Sequence, residues 1–168
     1  MGMQTDVLAG TLVESGFIYK GRTRVKGISL KGSANAGLLE LFSTTAAPVS
    51  ATYGRTGTTV TVTKVAHGLV TGNQIGLSFI SGTGGTGTDG NYVVTRLTAD
   101  TFTITDINSG SVTAGAACKY GDRWIMTYRT VAGDTFLNYW VLPGQGILAP
   151  NGVYLAISNL TAASIFYG

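Results

Sequence analysis

Apolar and polar residues alternate one for one along much of this chain, which is the period of a strand with one buried face. In TTVTVTK, Val60 and Val62 fall on one side while Thr59, Thr61 and Thr63 fall on the other. In TFTITD, Phe102 and Ile104 alternate with Thr101, Thr103 and Thr105; in GVYLAIS, Val153, Leu155 and Ile157 oppose Tyr154 and Ala156. Extended along the chain, the pattern predicts strands over residues 4–12, 16–20, 23–31, 37–43, 59–65, 74–80, 91–97, 101–107, 123–129, 135–142, 145–148, 152–158 and 162–167. The turn in LTADTF makes a tight hairpin of the strands around it. No window carries a capped apolar stripe of helical period. The nearest, SANAGLLELF, is interrupted at Gly37 and is shorter than an independent helix, so it too is expected as a strand. The fold class that follows is all-β.

Composition then divides the chain. Between about residues 49 and 119 lie 16 of the 25 Thr and the glycine-rich tract SGTGGTGTDG, whereas both Trp and all three Met lie outside. Residues 1–48 and 120–168 are each too short to bury an adequate core, but together they supply the strands of an ordinary sandwich. The expectation is a split antiparallel β-sandwich, jelly-roll-like, built from 1–48 plus 120–168, with 49–119 inserted as a small β-barrel-like module at a loop tip, where insertion is best tolerated. No run approaches the length of a membrane helix, and MGMQTDVLAG lacks a basic region followed by an apolar one, so neither a span nor a signal peptide is expected. Asp6 stands where a myristoylation pattern needs Ser or Thr.

Candidate chemistry is sparse. With 44% apolar and 11% charged residues the chain is not a disordered one. A net charge of +3 is mild, and a nucleic-acid partner is disfavoured because no aromatic residues interleave the basic ones. The one cysteine, Cys118, precludes a disulfide framework and any multi-cysteine metal site. The one histidine, His67 in AHGLVTGNQIGL, has no second His or Cys and no local carboxylate pair to work with. It reads as part of a turn in which Gly68 and Gly72 take conformations closed to other residues, Asn73 suits the bend and Leu69 plugs a small core. Gly82 to Gly87 satisfies GxGxxG formally, yet no helix follows to meet a phosphate, so a mobile surface loop is expected. Asp89 and Asn91 lack the further oxygen ligands a calcium site needs, and the eight acidic residues are scattered singly, without the paired carboxylates of a glycosidase. No catalytic residue, metal or cofactor is assigned. What stands out is a basic stripe, Lys20, Arg22, Arg24 and Lys26, expected to line one side of a single strand as an acidic-surface contact or an edge guard. Beside it is LNYWVL, apolar on both faces around Trp140 and so expected to be covered on both.

The run TVTVTKVAHGLVTGNQIGL followed by GTDGNYVVTRLTADTFTIT resembles the small β modules of bacteriophage virion and tail proteins, where a Thr/Val strand leads into His-Gly-Leu and Thr-Gly, then an Asn, Gly and Tyr segment, then a hairpin ending in Thr-Phe-Thr. The flanks, AGTLVESG, GRTRVKGISLKG and VLPGQGILAPNGVYLAISNLTAASIFYG, resemble short β-sandwich proteins of marine and cyanobacterial tailed phages. The resemblance implies a non-enzymatic virion protein made in the bacterial host cytoplasm. The first expectation is a decoration (cement) protein on the head surface, bound to the major capsid protein and other virion proteins, self-associating, as a trimer for example, and projecting the module outward. Lys20, Arg22, Arg24, Lys26 and Trp140 are its candidate contacts. The alternative is a tail-associated fibre or adaptor whose module meets a host surface glycan; it ranks second because the exposed aromatic platform such binding wants has only Tyr53 and Tyr92, with Phe79 and Phe102, to draw on.

Overall fold

The structure, a computed structural model, describes residues 7–168; the expected start of the first strand at residues 4–6 and the readings made on MGMQTD lie outside the described residues. Among the described residues the chain is all-β, 63% strand and without helix. In chain order the strands are β1 Leu8–Leu12, β2 Gly16–Tyr19, β3 Thr23–Gly32, β4 Leu38–Ser43, β5 Val49–Thr63, β6 Gln74–Phe79, β7 Gly90–Val93, β8 Thr95–Arg96, β9 Thr101–Gly121, β10 Arg123–Arg129, β11 Leu137–Val141, β12 Ile147–Ala149, β13 Val153–Ser158 and β14 Leu160–Tyr167. They fall into two compact units, one formed by the chain up to Ala47 together with Ile125–Gly168, the other by Pro48–Trp124.

The discontinuous unit contains two antiparallel sheets, one ordered β1-β14-β3-β11 with β12 also on β3, the other β10-β4-β13-β2. Their alternating apolar residues meet in one core: Val25, Ile28 and Leu30 from β3, Leu39 and Leu41 from β4, Val153 and Leu155 from β13, Ala163 and Ile165 from β14. Strict alternation cannot put both Val25 and Ile28 inward. A bulge does it: Phe166 pairs Gly27 and Tyr167 pairs Val25, so Lys26 falls between the two pairings and the strand's parity resets. The basic stripe is not a single-strand feature. Only Arg24 and Lys26 lie on β3; Lys20 and Arg22 lie in the connection that carries the chain from β2 in one sheet to β3 in the other.

The continuous unit is one antiparallel sheet, β5-β9-β6-β7 with β8 on β9, closing over Tyr53, Val60, Val62, Leu77, Phe79 and Phe102. Its framework is the long pair β5 and β9, running from Val49↔Tyr120 to Thr63↔Thr101 with two irregularities. At the first, Tyr53↔Ala116 is followed by Arg55↔Val112; at the second, Gly57↔Gly110 is followed by Thr59↔Thr105, so in both places β9 carries extra residues and the pair bends. The strands predicted over 59–65 and 101–107 cover only the far end of this pair. Tyr120, assigned by composition to the outer part of the chain, has its ring in the core of the continuous unit.

Candidate interaction surface

His67 sits in the connection between β5 and β6, and its backbone explains its neighbours: Ala66, Gly68 and Gly72 all have positive φ, at 51°, 69° and 95°. Both ring nitrogens are occupied by the main chain. Leu69 N–H donates to Nδ1 at 3.0 Å. Nε2 lies 3.2 Å from the Thr98 carbonyl, which fixes the neutral tautomer protonated at Nε2. The imidazole packs edge-on to Phe102 at 5.1 Å, and Leu69 rests against the core. A ring held this way fastens the turn to the β8–β9 hairpin and presents no lone pair to a substrate.

The glycine-rich loop differs from the mobile loop expected. Arg55, on β5, has a fully buried guanidinium that donates from Nε to the Gly57 carbonyl at 3.1 Å, from Nη1 to the carbonyls of Gly85 at 2.9 Å and Thr86 at 2.8 Å, and from Nη2 to that of Asn108. Asp106, equally buried, lies 3.6 Å from Nη2. It accepts from Thr88 N–H at 2.7 Å and Asn108 N–H at 2.9 Å. Tyr53 Oη donates to Ser81 O at 2.6 Å, and Tyr92 Oη donates to Thr88 O. A phosphate cradle turns N–H groups inward, whereas this loop turns carbonyl oxygens inward to a cation, the opposite polarity. Burial would raise the Asp106 carboxyl, but the Asn108 and Thr88 hydrogen bonds and the Arg55 charge together hold it below its ordinary value. Burial, with the nearby charges of Asp106 and Asp89, pushes the Tyr92 phenol up to about 12. Sequence reasoning missed this network because Arg55 and Asp106 are 51 positions apart and only the bulge on β9 brings them together.

Asp89 and Asn91 have structural partners: Asp89 Oδ1 accepts from Phe79 N–H at 2.6 Å, and the Asn91 amide bonds both main-chain groups of Trp124. Among the described residues no three His, Cys, Asp or Glu side chains gather where a metal would fit. Cys118 is a buried core residue. The aromatic platform of the glycan reading does not form, because Tyr53, Phe79 and Phe102 are inside the core and Tyr92 is half-buried.

The predicted contact residues are not brought together as one stripe. Lys20 and Arg22 are exposed, Arg24 and Lys26 half-buried, and the Lys20 ammonium lies 5.1 Å from the Phe17 ring centroid. Trp140, half-buried, turns inward to the core, where its ring meets Tyr128 at 4.2 Å. Its neighbours on β11 point the other way: Leu137, Tyr139 and Val141 are 70%, 56% and 67% exposed. Register places them on the outer face of the five-stranded sheet, Leu137 beside Lys31 and Ala162, Tyr139 beside Ser29, Ser164 and Thr11, Val141 beside Gly27, Phe166 and Ala9. Two contacts agree with that placement, the Thr11–Ser164 hydroxyl bond at 2.7 Å and the perpendicular Tyr139–Phe166 rings at 5.4 Å. Gly27 permits the close approach of β11 to β3, since a Cβ there would lie 2.9 Å from the Trp140 carbonyl oxygen. Around β11 the face is apolar, and it is small or hydroxylated across β14 and β1, with Lys31 opposite Leu137; further along β3, past the bulge, Arg24 also faces outward because Val25 faces the core.

Comparison with family models, with curated proteins and with solved structures found no match to this chain.

Proposed function

We propose that the protein is a non-enzymatic structural component of a bacteriophage virion, a decoration protein that binds the head shell. In this reading the discontinuous unit is a split, jelly-roll-like sandwich that does the binding, and Pro48–Trp124 is an inserted barrel-like module. The observation that carries it is the nearly uncharged outer face around Leu137, Tyr139 and Val141. Its mechanism is mechanical: covering roughly 800 Å² per partner at capsid subunit junctions, in many copies, opposes distortion of the shell. The sequence resemblance to phage virion proteins points the same way. Tyr53, Phe79 and Phe102 lie in the core of that unit and Tyr92 is half-buried, which adds no support to a glycan-binding tail component.

The test is occupancy. A low-resolution map of particles is expected to show the protein on the head in many copies; a small set at the tail overturns the reading. Leu137→Asp with Val141→Asp places two carboxylates on the contact face and is expected to abolish attachment while the isolated chain stays folded. Replacing Lys20, Arg22, Arg24 and Lys26 by Ser is expected to weaken attachment at low salt and to matter little at high salt, where those charges are screened.

A further inference from the structure

β11 ends its sheet. It pairs β3 on one side, and the sheet order closes with it. Its sequence, LNYWV, contains no Lys, Arg, Asp, Glu, Pro or Gly, the devices by which edge strands resist pairing. The strand is symmetric in the sense an antiparallel self-pair requires. With Tyr139 at the centre, Leu137 faces Val141 of a second copy, Asn138 faces Trp140, and Tyr139 faces its own equivalent, large apolar residues meeting on the outer side in every pair.

We infer that two copies of this chain join edge to edge through β11, antiparallel and centred on Tyr139. The two-fold contact is closed and uses the same surface on both copies. Parity is preserved, so Leu137, Tyr139 and Val141 of both copies stay on one side and the two outer faces merge into one; a register slip by one residue would turn them to opposite sides. Charge does not oppose the contact. Lys31, on β3 opposite Leu137, is offset from its equivalent by three strand spacings across the sheet and by about 13 Å along it, about 20 Å in all, beyond the Debye length of about 8 Å in physiological salt. A second copy is favoured over a charged partner because the edge offers no charge to complement. Five residues of edge are a small contact, so the pair is weak in dilute solution and is strengthened where copies are concentrated, as on a shell. The inference deepens the proposed face by doubling it but rests on β11 alone.

Cysteine scanning on the full chain tests it. Opposed Cα atoms in an antiparallel pair are about 4.5–5.5 Å apart, within disulfide reach. Tyr139→Cys is expected to form a covalent dimer under mild oxidation. Leu137→Cys alone is expected not to, since its equivalent lies about 13 Å along the strand, whereas Leu137→Cys with Val141→Cys is expected to cross-link. Buried Cys118 leaves the wild type uncross-linked as control. Tyr139→Lys, with unchanged circular dichroism, is expected to weaken the dimer at least about tenfold in sedimentation. A chain monomeric at every concentration overturns the inference, as does cross-linking of Leu137→Cys as readily as Tyr139→Cys. So does a Tyr139→Cys bond, on particles, to another protein and never to a second copy. If the cross-links form while Leu137→Asp with Val141→Asp leaves occupancy unchanged, the edge contact stands and the capsid face falls.

Discussion

Asp106→Asn would leave the Arg55 guanidinium buried with carbonyl partners and no counter-charge. Removing one member of a fully buried pair costs about 3–5 kcal/mol, so urea denaturation of this variant is expected to show the Pro48–Trp124 unit unfolding much earlier. Arg55→Lys is expected to be nearly as damaging, because one ammonium cannot reach the carbonyls of Gly57, Gly85, Thr86 and Asn108 together. The same residues set the pH limits. Asp106 has a lowered folded-state pKa, so its contribution is present above the unfolded carboxyl value of about 3.9 and is lost as pH falls through the folded one. Tyr92 is raised to about 12, so its contribution is present below the unfolded phenol value of about 10 and is lost as pH climbs toward 12. Near-ultraviolet dichroism is therefore expected to be lost at the acid end as Asp106 protonates and at the alkaline end as Tyr92 ionises, and a Tyr92→Phe variant is expected to lose the late component of the tyrosinate absorbance rise. His67→Gln removes two main-chain hydrogen bonds near the surface and is expected to cost about 1 kcal/mol in the same denaturation experiment. That cost is the signature of a turn fastener, and the turn itself was readable from one histidine without partners beside two glycines.

At the scale of elements, strands whose alternation is unbroken were legible in the sequence, and those that bend were not. TTVTVT and TFTIT declare their faces, and the structure pairs them rung by rung, threonine opposite threonine. The rest of β5 and β9 is written in Gly, Ala and Ser with irregular spacing, and it becomes strand because each half supplies the other's hydrogen bonds. The bulges are tertiary devices: one turns Asp106 toward Arg55, and another, at Lys26, lets Val25 and Ile28 share a core. Glu40 is a further case, an acid within LLELF that alternation would leave at the surface and that the structure buries completely in the middle of its sheet. Gly76 on β6 shows what such close pairing requires: a Cβ there would lie 1.8 Å from Trp124 N. Gly76→Ala is accordingly expected to destabilise the Pro48–Trp124 unit by more than the about 1 kcal/mol that separates Ala from Gly conformationally, measured as a lower unfolding midpoint.

At the scale of the whole chain there are two separate cores, one made only of residues before Pro48 and after Trp124, the other only of residues between them. Composition indicated the division, because Met lies in one part and most Thr in the other, but it could not show that Tyr120 fills the second core or that Trp124 falls in the same unit. Calorimetry is expected to resolve two transitions, and Asp106→Asn to move only one. The surface proposed for contact was legible only in part: the apolar character of LNYWVL was visible, while which of its residues face outward depends on the register with β3.

The pairing of Val49 with Tyr120 places the start of β5 and the end of β9, close to the two limits of the Pro48–Trp124 unit, side by side. A segment whose ends touch is a cassette: any hairpin elsewhere could accept it in place of a tight turn, and the gap left by its excision is one short linker wide. Lineages of this chain with and without the middle segment are then expected to differ by one clean recombination event, with no compensating changes in the host strands.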